Sequence, residues 1–336
     1  MNSIENEQGI SICVPVYNGA TTIADTLINL LKLNYSNFEI VINDNRSTDN
    51  TLEIVKKFKS NKIKIYENNK HVSCGENIFL SSMRSINEII VFQSADDLFE
   101  NGYLKKINEI YLKYPEVKSI SRNYFWFNDN KISPIRIKTL CNSNKIINIK
   151  STLKDQMMLL ETFDNLSGIS VKKKYLKNLR ITNFPFIETA SFMLKFLSFS
   201  DIYLINEPLV AIRIHQNNSS KQSYVYRRST ALLWRYIFNK CLKKNNLSNK
   251  LFTNSYGKHF ESFVQLRCFS GYKALIREII VFIKIDKMNL LNFNLLFYVL
   301  LTLLTPKPLL IFFNRCYKKF SNRLILNRFN FKKFQF

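Results

Sequence analysis

The feature that most restricts the fold is a regular exchange of short apolar runs with helix-period segments. Ile10 to Val16 (ISICVPV) is an apolar run carrying Pro15 near its end, the pattern of a buried parallel strand leading into a loop. A helix is predicted over Ala20 to Leu33, where Ile23, Leu27, Leu30 and Leu31 recur at helical spacing and Thr21 or Thr22 stands ready to cap the first turn. Phe38 to Ile42 repeats the strand pattern, Asn43 to Asn50 is a polar turn, and Thr51 to Lys59 is the next helix. Lys62 to Tyr66, Asn77 to Ile86 and Glu88 to Gln93 continue the series as strand, helix and strand. The fourth strand ends at Ser94-Ala95-Asp96-Asp97, and Pro115 stops a helix over Asn101 to Tyr114. Val117 to Phe127 and Lys131 to Lys138 read as further strands, partly antiparallel. Such alternation predicts an α/β domain with a mostly parallel, mixed sheet flanked by helices, and ligands at the carboxyl ends of its strands.

Further on, Phe192 to Leu197 reads as a helix, Ile202 to Ile205 as a strand and Pro208 to Arg213 as an extended segment. The expected division is soft and lies near Ser220: residues 1–220 form the α/β domain, and residues 221–336 form a helical region rich in Leu, Phe, Lys and Arg. Charge supports that division. The chain carries 49 Lys and Arg against 25 Asp and Glu, a formal charge of +24. After Ser220 there are 22 basic and 3 acidic residues, so 22 − 3 = +19 of that excess lies in the last part. Its partner is therefore anionic: nucleic acid, phosphosugars or acidic lipid.

The six cysteines show no metal-ligand spacing and read as reduced, mostly structural thiols. Met1 to Gly9 has no apolar run after a basic start, so a cytosolic location is expected. Neither GxxxxGK[ST] nor GxGxxG follows the first strand, which disfavours P-loop and dinucleotide enzymes.

Candidate chemistry clusters at strand ends, with Asp44 after the second strand and Asp96 with Asp97 after the fourth. Adjacent carboxylates on a turn suit Mg²⁺ or Mn²⁺, and Asp97 equally suits a helix N-cap. Gly168, after Ser167, allows close backbone approach to a ligand or serves a turn. Glu188 precedes a helix, where it caps or acts as a general base. His215 ends an extended run, while His71 and His259 have no pattern around them that assigns a role.

Taken together, Ile10 to about Ser220 resembles glycosyltransferase family 2, with its Rossmann-like GT-A fold. Pro15-Val16-Tyr17-Asn18 looks like that family's Pro-x-Tyr-Asn turn, which implies nucleoside binding at these four residues. Asp44 through Thr51 is similar to its Asp-Asp-x-Ser-x-Asp-x-Thr segment, implying that Asp44 bonds the base, with Asn45 in place of the second aspartate. Asn77 fits a recurrent asparagine of the donor site. Ser94 to Asp97 sits where the family has Asp-x-Asp-Asp, so Asp96 is the implied donor and metal carboxylate, with Asp97 and His215 as further metal residues and Ser94 replacing the first aspartate. Ser167-Gly168 resembles the acceptor-side segment. Glu188-Thr189 occupies the place of a Glu-Asp pair whose aspartate is the catalytic base, leaving Glu188 for that role. Glu207-Pro208-Leu209 through Arg213-Ile214-His215 resembles the closing motif, with Ile212 in place of a tyrosine.

The resemblance implies an inverting transfer from a nucleotide-diphosphate sugar, UDP- or dTDP-linked, aided by Mn²⁺ or Mg²⁺. It also points to surface polysaccharide such as O-antigen or capsule. A relative that has lost catalysis and serves as an assembly partner is the alternative reading. Leu290 to Leu304 is mostly apolar but is broken by Pro306-Lys307-Pro308 before it reaches spanning length. The basic and apolar residues beyond it fit helices lying in an anionic bilayer surface at the cytoplasmic face, near a lipid-linked glycan, rather than nucleic acid. A helical bundle packed on the catalytic domain is the plainer alternative for this region.

Overall fold

Runs of residues buried on both faces belong in the centre of a covered sheet. All of β1 (Ile10–Val16) except Pro15 is buried, and so is every residue of β2 (Phe38–Asp44). In the computed structural model the described residues are 7–128, 131–138, 141, 143–147, 165–176, 201–215, 263–264, 267–268, 271–273, 275–277, 279–280 and 293–312. The chain divides into two compact units, one of Met1–Ile214 with Arg328–Phe336 and the other of His215–Asn327.

In the first unit β1 leads to α1 (Ile23–Leu31), and β2 to α2 (Thr51–Lys56). β3 (Ile63–Glu67), α3 (Cys74–Arg84), β4 (Ile89–Phe92), the short β5 (Leu98–Phe99) and α4 (Tyr103–Lys113) follow. β6 (Ser119–Asn128), β7 (Lys131–Lys138), β8 (Lys145–Ile147), β9 (Ile169–Lys172) and β10 (Ile202–Ile214) complete the sheet. The ten strands run in the order β3-β2-β1-β4-β9-β6-β10-β5, with β7 beside β6 and β8 beside β10. β1 to β4 are mutually parallel where they pair, while β9 runs antiparallel to both β4 and β6. This is the mixed α/β sheet expected from the alternation of segments. One continuous core joins Ile12, Val14 and Ile40 of the sheet to Ile23, Leu27 and Leu30 of α1 and to Leu104 and Ile107 of α4.

Several boundaries move. Helix α3 starts at Cys74, because Ser73 caps it by accepting the Glu76 N–H, and it ends before Ile86. Residues 202–214 form one strand rather than two segments. Its register against β6 shifts on either side of Pro208, where a bulge absorbs the missing N–H. Thr22 stands at the N-cap of α1 but makes no side-chain cap bond. Asp97 caps no helix, since it leads into β5 and α4 begins only at Tyr103. Cys13, Cys141 and Cys268 are buried, whereas Cys74 is exposed. Cys241, Cys316, the helix expected at Phe192 to Leu197, and Glu188 lie outside the described residues.

Candidate functional site

The register aligns the carboxyl ends of the parallel strands, pairing Val16 with Asp44 and Asp44 with Glu67. The loops after β1, β2 and β3 therefore share one edge and are laced together there. Asn18 takes a positive φ of 52°, donates its N–H to Ser47 Oγ at 2.9 Å and accepts the Thr48 N–H at 2.8 Å. Gly19 N–H reaches Thr51 Oγ1 at 2.8 Å, and Ala20 N–H reaches the Asp49 carboxylate at 3.1 Å. Burial works to raise the pKa of Asp49, but the hydrogen bonds from Thr51 and Ala20 outweigh it and hold the carboxyl below its ordinary value.

Asn45 joins the second loop to the third. Its amide nitrogen donates to the Val72 carbonyl at 2.8 Å, and its oxygen accepts from Val72 N–H and Asn68 Nδ2 at 2.9 and 3.0 Å. An aspartate there would set a carboxylate against a carbonyl, so the departure from the family segment has a local cause. The Asn45 backbone oxygen lies 3.0 Å from His71 Nδ1. The His71 ring meets Tyr17 edge-on at 4.6 Å, and Tyr17 is half exposed. Together they make an open aromatic corner beside the strand ends. His71 escaped the sequence reading because its role depends on a loop-to-loop contact that no spacing encodes.

Pro15 and Val16 end β1 inside the sheet, and only Tyr17 and Asn18 of that motif reach the loop. Asp44 is fully buried, and its oxygens accept from Ser47 N–H at 2.9 Å and Ser47 Oγ at 2.5 Å, so in this structure the carboxylate shapes the turn. Asn77 is buried as well. Its oxygen accepts from Asn43 and Asn68 at 2.6 and 2.8 Å, which ties α3 to the ends of β2 and β3.

The turn after β4 is gripped from three directions. Along α1, Thr22 donates to the Ala95 carbonyl at 2.9 Å and Thr26 to the Asp97 carbonyl at 3.2 Å. Asn29 donates to the Phe99 carbonyl at 3.0 Å and accepts the Phe99 N–H at 2.8 Å. From β10, Arg213 gives its N–H to Asp97 Oδ1 at 2.8 Å and its Nε to the Asp96 carbonyl at 2.9 Å. The same guanidinium pairs with Asp25 of α1 at 3.0 Å. From the segment before β9, Ser167 Oγ lies 2.5 Å from Asp97 Oδ2 and 2.9 Å from Ser94 Oγ, and accepts the Ser94 N–H. Burial first, and the charge of Asp96 second, push the Asp97 carboxyl well above the usual carboxylate range.

These contacts bear on two expectations. Both oxygens of Asp97 are engaged inside the fold, so its carboxylate organises the turn. Ser167 and Gly168 are internal too. Ser167 is fully buried, and Gly168 has a φ of +75° at a point where a Cβ would strike Val210 and Arg122. Gly168 therefore serves a tight turn against Val210 and Arg122. Arg122 is fully buried in β6 and donates to the Ser167 carbonyl. Asp96 is the half-buried member of the acidic pair. His215 follows the last residue of β10, two positions beyond Arg213.

No group of three His, Cys, Asp or Glu side chains is assembled for a metal among the described residues. The residues present nevertheless fit Mg²⁺ or Mn²⁺ held jointly with a ligand, since such ions are bound through one or two carboxylates plus substrate phosphates.

A sequence model described as Glycosyl transferase family 2 matches residues 11–180. That stretch takes in the strands and loops just described. The chain belongs to this family. Among curated relatives, glycosyltransferase GlyA of Streptococcus pneumoniae serotype 4 is 28% identical over 125 residues, 36% of this chain and 18% of GlyA. The poly-beta-1,6-N-acetyl-D-glucosamine synthase of Staphylococcus aureus is 41% identical over 59 residues, 18% of this chain and 14% of that protein. The chain spans 33% or less of the length of the curated relatives it matches. Solved structures confirm the fold. S. aureus TarS 1–349, crystallised with UDP-GlcNAc, superimposes with a TM-score of 0.57 at 16% identity over 84% of this chain and 92% of that one. The mannosyltransferase PcManGT of Pyrobaculum calidifontis, in complex with GDP-Man and Mn²⁺, gives 0.52 at 14% identity over 89% and 86%.

Proposed function

We propose that the chain is an inverting glycosyltransferase that moves a sugar from a UDP- or dTDP-linked donor to a lipid-linked glycan in cell-surface polysaccharide assembly. Its place of action on this reading is the cytoplasmic face of the membrane. The observation that carries it is the meeting, at one edge of the parallel strands, of an aromatic corner and a rigidly held turn that bears Asp96. Tyr17 and His71 offer ring faces and edges to a flat base, and base-on-aromatic stacking contributes roughly 1–3 kcal/mol per base. Family membership supports nucleotide-sugar transfer. The name of the S. aureus poly-N-acetylglucosamine synthase supports a glycan product, and the UDP-GlcNAc bound to TarS supports a uridine donor.

On this reading Tyr17, His71 and the Asn18 to Asp49 loops bind and orient the nucleoside. Asp96 would hold a divalent ion. When bound, that ion supplies positive charge opposite the leaving group. Arg213 holds the Asp96 carbonyl, while Ser167 and the polar side of α1 hold Asp97 and Ala95 on either side of it, so little reorganisation is left to the reaction. Glu188 takes the proton from the acceptor hydroxyl as that oxygen attacks the anomeric carbon from the face opposite the nucleotide.

The test is release of free nucleotide from a panel of UDP-, dTDP-, GDP- and CDP-sugars, in the presence of membrane extract, by wild type and Asp96→Asn. Turnover of one donor that falls at least about a hundredfold in the variant supports the reading. Nucleotide binding without turnover of any donor would favour the non-catalytic assembly partner.

A further inference from the structure

A helix at a protein surface normally turns polar residues outward. In the second unit, α5 (Phe293–Leu304) does the reverse. Among its described side chains the exposed ones are Leu296, Phe297, Leu300, Leu301 and Leu304, with Phe297 61%, Leu300 53% and Leu304 77% open to solvent. At helical spacing these five positions fall within an arc of about 140°. Thr302, the polar residue on the far side, is fully buried.

Helix α5 and the segment that follows it are fastened to residues 263–280. Val264 and Cys268 pack against Leu310, and the Tyr272 hydroxyl donates to the Leu303 carbonyl at 3.0 Å. Arg267 stacks on the Tyr272 ring, 3.2 Å from its centroid. The apolar arc is therefore presented by a packed pair of helical segments.

We propose that this arc is a docking face for an anionic phospholipid bilayer, on which the helical pair lies in the plane of the interface. Charge selects this occupant. Lys273, Arg277 and Lys307 are exposed on the same pair of segments, interleaved with exposed Ile276, Ile280 and Leu309. A second copy seated on the face would bring these cations against their own counterparts, whereas acidic headgroups complement them. Length sets the mode of binding. At 12 residues α5 is about 18 Å long, well short of a hydrocarbon core of about 30 Å, and no described helix is long and apolar enough to cross a membrane. Leucine and phenylalanine on one arc with lysine and arginine beside it is the composition of an interfacial helix.

Docking of this kind rests on the transferase reading for its purpose, yet vesicle binding is measured without turnover, so either can fail alone. The full chain is sedimented with vesicles of phosphatidylcholine alone or mixed with phosphatidylglycerol, at low and high salt. Three forms are compared: wild type, Phe297→Ser/Leu300→Ser, and Lys273→Glu/Arg277→Glu. Both pairs are exposed, so the fold is expected to survive, and unchanged thermal unfolding and UDP affinity without vesicles check it. Wild type is expected to prefer the anionic vesicles, and to bind them less at high salt. The apolar pair should lower the partition at least about tenfold, and the charge pair should abolish the anionic preference. Failure of wild type to bind, equal binding to both vesicles, or vesicle binding unchanged in Phe297→Ser/Leu300→Ser while that pair dissociates a dimer, would overturn the proposal.

Discussion

Asp97 is a buried carboxylate held by partners inside the fold. Its two oxygens take the Arg213 N–H and the Ser167 hydroxyl, and burial raises its pKa well above the ordinary range. Asp97→Asn keeps an acceptor for Arg213 and removes a buried charge, while Asp97→Ala leaves the Arg213 N–H and the Ser167 hydroxyl without that partner, at a cost of roughly 1–3 kcal/mol for each such group. A group whose pKa is raised on folding contributes its stability at low pH and loses it as pH rises through the folded value. The melting temperature of Asp97→Asn should therefore overtake that of wild type by a widening margin as pH climbs from about 4 towards neutrality. A margin that stays flat across this range would contradict the buried assignment. Gly168→Ala should cost roughly 2–4 kcal/mol, the sum of a strained left-handed alanine and an overpacked contact with Val210 and Arg122, measured by denaturant unfolding. At this scale the sequence marked which residues matter better than what they do. Asp44, Asn77, Asp97 and Ser167 all lie at or beside the strand-end loops, but their hydrogen bonds point into the fold, because partners distant in sequence decide where a short polar side chain turns.

Among the elements, α1 has a double character that its apolar period conceals. Leu27 and Leu30 bury into the core, while Thr22, Thr26 and Asn29 recur at helical spacing as buried polar residues that clamp the backbone from Ala95 to Phe99. That polar row was visible in the sequence as three hydrogen-bonding residues beside an apolar face, and it is the signal that could have revealed the clamp. Asn29→Leu should lower stability by roughly 1–3 kcal/mol, since the Phe99 N–H and carbonyl both lose their partner, and should weaken metal-dependent nucleotide binding through the loosened turn. Loss of stability with nucleotide affinity untouched would show that the clamp serves the fold alone. β1 and β2 were legible because a strand buried on both faces is a continuous apolar run. β10 was read as two pieces because Pro208 cannot continue a ladder, and the bulge that accommodates it is a property of its pairing with β6.

For the whole molecule, the first unit holds a family 2 sheet with its loops locked at one edge, and the second bears the outward apolar arc with exposed Lys273, Arg277 and Lys307. The excess of positive charge after Ser220 was plain from the sequence; which residues face outward depends on helix packing and was not. The central claim is that the strand-end edge binds a nucleotide diphosphate together with a divalent ion through Asp96. Calorimetric titration of UDP, with and without Mn²⁺, into wild type, Asp96→Asn and Asp97→Asn tests it most directly. The expected result is UDP binding that tightens at least about tenfold with Mn²⁺ in wild type and in Asp97→Asn, and loses that gain in Asp96→Asn. UDP affinity that is the same with and without Mn²⁺, or a metal effect that survives in Asp96→Asn, would contradict it.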